Sequence, residues 1–283
     1  MERKEKFAVC MCVYHRDDPQ WFDDAARSIL EQTAVPDQIV LVVDGPVPAA
    51  LDAVICKYEA MPVFTVVRLP ENQGLGIARK TGLEHCRHEL VAMMDADDLS
   101  VPERFALQLA EFEKDPSLSI VGGQISEFID SPENKVGIRQ VPLTHEDIRE
   151  YLKTRCPFNH MTVMVRLPDI MAVGGYLDWY YNEDYYLWIR MYLGSQKFAN
   201  VPQTLVNVRV GEDLYQRRGG RKYFASELGI QKLMRKHKII GFATFHVNVA
   251  KRLVVQVLLP NKLRGWVFKK FARSQESHET AND

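Results

Sequence analysis

Three carboxylates fall within four residues at Asp95-Ala96-Asp97-Asp98, directly after the apolar run Leu90-Val91-Ala92-Met93-Met94. At the carboxyl end of a buried strand, like charges this close repel, and desolvation adds to the cost unless a cation or hydrogen-bond donors compensate. A hard divalent ion, Mg²⁺ or Mn²⁺, takes oxygen ligands and shares a nucleotide diphosphate with one or two carboxylates. The carboxyl ends of parallel strands are also where open α/β sheets bind ligands. Helix capping accounts for part of this region, because Ser100-Val101-Pro102-Glu103 has the form of a capping box with proline in the first turn. Such a box uses Ser100 and Glu103 and leaves Asp95 and Asp97 unexplained, which favours the metal–diphosphate role.

Other positions carry related chemistry. Asp44 ends the apolar run Ile39-Val40-Leu41-Val42-Val43; it either accepts hydrogen bonds from a nucleobase or ribose or shapes the Asp-Gly-Pro turn. Arg79 lies one helical turn beyond Gly74-Leu75-Gly76, where a guanidinium meets a phosphate or is simply solvated. Glu183-Asp184 opens a helix, and the helix dipole favours carboxylates there whatever their chemistry.

The elements that must position these groups alternate over the first hundred residues. Phe7 to Val13 and Ile39 to Val43 are continuous apolar runs of buried-strand length. Asp18-Pro19 supplies an N-cap and a first-turn proline for a helix carrying Phe22, Ala25 and Ile29. A helix from Ala49 to Tyr58, a strand from Phe64 to Leu69, a helix through Arg79 and the strand before the tetrad complete a parallel, Rossmann-like half. Beyond it the pattern is mixed, with strands at Ser119–Ile125, Lys135–Val141 and Met161–Val165 and helices opened by Thr144 and by Glu183.

With 283 residues, 46% of them hydrophobic, the chain can bury a full core. A net charge of −1 argues against general nucleic-acid binding. No signal peptide or membrane-spanning stretch is expected, and the five cysteines have no zinc spacing, so the reading is a reduced, cytoplasmic protein. From Leu228 to Gln275 there is no Asp or Glu, and Lys262, Arg264, Lys269, Lys270 and Arg273 surround Trp266, Phe268 and Phe271. Basic and aromatic residues so mixed suit either an anionic membrane surface or a helix pair packed on the domain.

In order along the chain, Val13-Tyr14-His15-Arg16-Asp17, Ser28-Ile29-Leu30-Glu31-Gln32-Thr33, Pro36 to Gly45, Asn72 to Arg79, Asp95-Ala96-Asp97-Asp98 and Asn182 to Arg190 resemble the inverting glycosyltransferases of family 2, which have the GT-A fold. The resemblance extends to about Arg221, and Cys156 to Met164 with Tyr215 to Gly220 is similar to the amylovoran-type branch that builds bacterial surface polysaccharides. It implies a GT-A domain over 1–225 (nucleotide half 1–100, acceptor half 101–225); the basic segment itself is expected to form a helical tail over 226–275, and the last residues, 276–283, to be disordered. It further implies a Mn²⁺- or Mg²⁺-dependent transfer from a nucleotide sugar, a UDP-sugar first, to a lipid-linked saccharide, with the tail touching the inner membrane.

By the same resemblance Tyr14 lies against the base with Asp44 at its polar edge, and Arg79 faces the nucleotide. Asp95 binds ribose or the metal shell, Asp97 ligates the metal and Asp98 supports it. Asp184 is the catalytic base, with Glu183 orienting the acceptor. The late-loop histidine of many family members is missing, so Arg217 or Arg218 is expected to hold the diphosphate instead. His160 reads as a satisfied histidine beside the site. Two rival readings are a sugar-nucleotide nucleotidyltransferase and an inactive nucleotide-binding partner subunit. The first wants a glycine- and lysine-rich phosphate loop that Tyr14-His15-Arg16-Asp17-Asp18 does not supply; intact Asp97 and Asp184 speak against the second.

Overall fold

The computed structural model of the chain describes residues 5–211 and 219–259. The first half runs β1 (Phe7–Val13), α1 (Pro19–Leu30), β2 (Gln38–Val43), α2 (Ala49–Glu59), β3 (Phe64–Arg68), α3 (Leu75–His85) and β4 (Leu90–Asp95). Then come β5 (Leu99–Ser100), α4 (Arg104–Lys114), β6 (Leu118–Phe128), β7 (Lys135–Arg139), α5 (His145–Leu152), β8 (Met164–Arg166) and α6 (Leu167–Ala172). The chain continues through α7 (Glu183–Leu193), β9 (Lys197–Arg209), α8 (Arg221–Lys236) and α9 (Phe242–Leu253).

One mixed sheet joins the two halves in the order β3-β2-β1-β4-β8-β6-β9-β5, with β7 paired to β6 beside that path. Strands β1 to β4 are parallel, as the alternation of apolar runs and helices expects. β8 lies antiparallel between β4 and β6. Its amino-terminal end therefore reaches the same edge as the carboxyl end of β4, and the one-turn 3₁₀ helix His160–Thr162 just ahead of it is delivered beside Asp95. The strand expected over Met161–Val165 is thus a short helical turn followed by β8.

The two larger of three buried clusters follow from the period-two alternation of strand side chains. Phe7, Val9, Met11 and Val13 pack with Phe22, Ile29, Phe105 and Phe112 on one face. Ala8 and Cys10 pack with Leu83, Tyr185, Trp188 and Met234 on the other. At Gly82 a Cβ would sit 2.3 Å from Cys10 Sγ, so only a glycine lets α3 lie this close to β1 and β2.

Local signals hold at the start of α1, where Asp18 accepts from the backbone N–H groups of Gln20 and Trp21, and at Thr144, which caps α5. The capping box at Ser100 does not form. Ser100 pairs with Val206 in the sheet, its hydroxyl accepts from Gln32 Nε2 at 3.1 Å, and α4 begins four residues later without a side-chain cap. Strand pairing with β9 takes the residues that local chemistry offers to the helix. The boundary expected at 225 falls inside α8, whose Ile230 and Met234 are fully buried in the second core. The aromatic and basic residues from Lys262 to Arg273, and the expected disorder over 276–283, lie outside the described residues. No described helix is long and apolar enough to cross a membrane.

Candidate functional site

The carboxyl ends of β1, β2 and β4 and the amino ends of α3 and α7 meet along one edge of the sheet. Asp44, 4% exposed, leaves β2 and accepts the backbone N–H groups of Gln73 at 2.7 Å and Gly74 at 3.0 Å, one on each carboxylate oxygen. Gly74, at φ +91°, makes the turn that starts α3. Both carboxylate oxygens of Asp44 are thus taken by the turn from which Arg79 projects, a role that neither the Asp-Gly-Pro turn nor the nucleobase reading names.

Arg79 is buried, not solvated. Its Nη1 donates to Glu183 Oε1 at 2.9 Å and its Nη2 to Asp95 Oδ1 at 3.1 Å. Burial opposes its charge, but Asp95 and Glu183 outweigh that and keep the guanidinium protonated. The bridge joins residues 104 apart in sequence and brings the β4 carboxylate and the α7 acidic pair into one cleft. Burial raises Asp95, yet His160 and Arg79 outweigh it and hold its carboxyl well below the usual range. Burial pushes the Glu183 carboxyl up against the pull of Arg79, with the charge of Asp184 adding to the rise.

Within the tetrad the three carboxylates are sorted by environment. Asp97 is exposed, whereas Asp98 is 2% exposed and accepts the Arg209 backbone N–H at 3.0 Å. Burial, and then the charges of Asp97 and Asp95, push the Asp98 carboxyl well above the usual range. Asp98 thus pins the acidic loop to the end of β9. Arg209 donates from Nε to the Asp97 carbonyl at 3.3 Å and lies over the rings of Trp21 and Phe128, each at 4.9 Å. Arg104 sits behind the tetrad, fully buried, donating to the Met93 carbonyl at 2.7 Å. Burial brings its pKa down to about 9, with the charges of Asp95 and Asp98 resisting the fall.

On the facing side, Asp184 Oδ1 accepts its neighbour's Tyr185 N–H at 2.6 Å, and Oδ2 lies 3.7 Å from the Cys156 thiol. Glu183 turns to Arg79, so the pair is more than a helix cap. Tyr14 is exposed at the end of β1, and its N–H donates to Asp17 at 2.9 Å. Arg217 and Arg218 lie outside the described residues.

The family profile for Glycosyl transferase family 2 matches residues 8–171. The chain belongs to this family. As a family 2 glycosyltransferase it is similar, at 38% identity over 95% of its length and 99% of the relative's, to a glycosyltransferase of Haemophilus influenzae. It is 35% identical to the UDP-Gal:alpha-D-GlcNAc-diphosphoundecaprenol beta-1,3-galactosyltransferase of Escherichia coli, over 95% of this chain and 97% of that one. It is 34% identical to the amylovoran biosynthesis glycosyltransferase AmsE of Erwinia amylovora, over 93% and 98% respectively. The fold is GT-A, like that of S. aureus TarS: the TarS structure with UDP-GlcNAc superposes with a TM-score of 0.65 at 16% identity, covering 88% of this chain and 72% of that one.

Two residues of this glycosyltransferase's cleft had no role assigned from sequence. The Asp17 carboxyl is pushed up to about 7, chiefly by burial, with the Tyr14 N–H opposing and the charges of Asp97 and Asp95 adding. Its position in the loop after β1, beside Tyr14, is a signal that could have found it. Arg209 gave no such signal, since its place against the tetrad depends on β9 crossing to the sheet edge. Among the described residues no three His, Cys, Asp or Glu side chains form a ready metal cage. Exposed Asp97 and half-buried Asp95 are oxygen donors of the kind a hard cation takes alongside a diphosphate and water.

Proposed function

We propose that this glycosyltransferase moves a sugar from a UDP-sugar to a lipid-linked saccharide with inversion and with help from Mg²⁺ or Mn²⁺. Its place is the assembly of bacterial surface polysaccharide at the cytoplasmic face of the inner membrane. The observation that carries the reading is Arg79, whose single guanidinium binds both Asp95 and Glu183 and so sets the two acidic groups across one cleft. The E. coli relative's name, with UDP-Gal and a GlcNAc-diphosphoundecaprenol, and the TarS complexes with UDP-GlcNAc and UDP support the substrate classes.

Asp97 and the outward oxygen of Asp95 would hold the cation, which when bound supplies positive charge against the departing diphosphate. Tyr14 lies against the base and Asp44 steadies the turn that carries Arg79. Asp184 takes the proton of the acceptor hydroxyl while that oxygen's electron pair forms the new bond to the anomeric carbon. The bond from that carbon to the diphosphate oxygen breaks on the opposite face, and the diphosphate leaves with the bonding pair. Glu183, tied to Arg79, orients the acceptor.

Support for the membrane comes from the apolar side chains exposed on and after α9, Phe242 at 68% and Leu258 at 65%, within the acid-free basic stretch of the sequence. The purified protein should be given UDP-sugars singly with a GlcNAc-diphospholipid acceptor, and the product's anomeric configuration read by NMR. Inversion is expected, and Asp184→Asn should slow transfer by roughly a hundredfold while UDP affinity is kept. A product of retained configuration, or full activity in Asp184→Asn, would sink the mechanism.

A further inference from the structure

His160 is a buried side chain that the transfer step above does not use. It is 7% exposed and held between the rings of Tyr176, edge-on at 5.7 Å, and Trp188 at 6.4 Å. Its Nε2 lies 2.7 Å from the Tyr176 hydroxyl. Its Nδ1 has no hydrogen-bond partner and lies 3.8 Å from Asp95 Oδ1. A buried ring nitrogen left unpaired is costly unless a partner comes within reach.

The ring's tautomer follows from Tyr176, which is 1% exposed and hydrogen-bonds to His160 Nε2. Burial pushes its ionisation well up, so the phenol keeps its proton and needs an acceptor. With Nε2 accepting that proton, the ring's own N–H sits on Nδ1, facing Asp95. The opposite tautomer strands the phenol proton and sets a lone pair against a carboxylate. Asp95 Oδ1 already takes the Arg79 hydrogen bond at 3.1 Å, so Oδ2 is the oxygen left for a ligand.

We infer that His160, fixed by Tyr176 as its Nδ1–H tautomer, is a positioning residue that closes onto Asp95 Oδ1 and turns Oδ2 toward the nucleotide diphosphate and its cation. The inference rests on the reading of Asp95 as a donor-site residue. In the free protein the 3.8 Å separation exceeds hydrogen-bond contact by about 0.8 Å, a gap that a small swing of the carboxylate closes.

The test uses the full chain with ¹⁵N-labelled histidine, then UDP with Mg²⁺. NMR of the free protein is expected to show His160 protonated at Nδ1 and bare at Nε2, with the Nδ1 proton moving downfield when UDP–Mg²⁺ is added. By calorimetry, His160→Asn, whose amide nitrogen falls at the Nδ1 position, should keep UDP–Mg²⁺ affinity within about threefold, whereas His160→Gln, which reaches only the Nε2 position, should weaken it roughly tenfold. A merely structural histidine predicts that both variants lose affinity together, in step with their melting temperatures, and that result overturns the inference. So does an Nε2-protonated ring in a wild-type protein that binds UDP, a measurement needing no variant to fold. A wild-type protein that binds no UDP under any condition would instead remove the donor reading itself.

Discussion

Replacing Arg79 with methionine tests whether the guanidinium is an internal bridge or a nucleotide contact. The side chain is 7% exposed and satisfies Glu183, itself 15% exposed, and Asp95, at 29%. Removing one partner from a buried ion pair costs about 3–5 kcal/mol. The partial exposure of Asp95 softens this, so the lower end, about 3 kcal/mol at pH 7, is expected. For a chain of this size that corresponds to a fall in melting temperature of roughly 6–12 °C. The sign with pH follows from Asp95, whose carboxyl is depressed in the fold. Its contribution is present above the unfolded value of about 4 and is lost as pH falls through the lower folded value. The difference between wild type and Arg79→Met should therefore be full at pH 7 and narrow below about pH 4. Arg79→Lys, able to reach one carboxylate but not both, should recover about half of the loss. Melting curves across pH decide the matter. An Arg79→Met protein that melts like wild type and has lost only UDP affinity refutes the bridge and returns Arg79 to the nucleotide.

Asp97→Asn, at an exposed position, should remove cation-dependent UDP binding by calorimetry with little change in melting temperature; unchanged affinity rejects Asp97 as a ligand. Asp17, with a folded pKa of about 7, contributes stability at low pH that is lost as pH rises from about 4 through 7. Asp17→Asn should consequently gain melting temperature relative to wild type between pH 5 and pH 8, and a difference constant with pH counts against the raised value. The intact protein should co-sediment with anionic vesicles and be weakened but not released by high salt, since aromatic burial is not screened. A Phe242→Ser, Leu258→Ser protein that sediments unchanged would discount the apolar side chains exposed on and after α9 in that contact.

Where local chemistry and tertiary packing agree, the sequence reads directly. The run Phe7 to Val13 is β1 end to end, and Asp18-Pro19 opens α1 as its residue types require. β9 was invisible because Pro202 reads as a break; the register shift between Val201 and Thr204 absorbs it as a bulge. The tetrad, Arg79 and the α7 pair were legible as a set of charges. Which charge meets which was not, since the Arg79–Glu183 contact depends on how closely Gly82 lets α3 approach the sheet. The tautomer-setting contact between His160 and Tyr176 was hidden for a similar reason: a ring's partners are fixed by packing, not by spacing.

The antiparallel setting of β8 has a consequence for how such a cleft diversifies. On the side of β1, β2 and β4, the candidate residues sit at or just past the carboxyl ends of their strands, at Tyr14, Asp17, Asp44 and Asp95, and the loops after β1 and β2 also feed the next helices of the parallel half. On the other side they precede their elements, at His160 ahead of β8 and at Glu183 and Asp184 opening α7. The segments leading into those positions, 153–159 and 173–182, are connections outside the parallel scaffold. One wall of the cleft can therefore be rewritten by exchanging two loops while the opposite wall keeps its strand register, so that, on the proposed roles, loop grafting between relatives that keep Tyr176 is the natural route to new acceptors on an unchanged donor side.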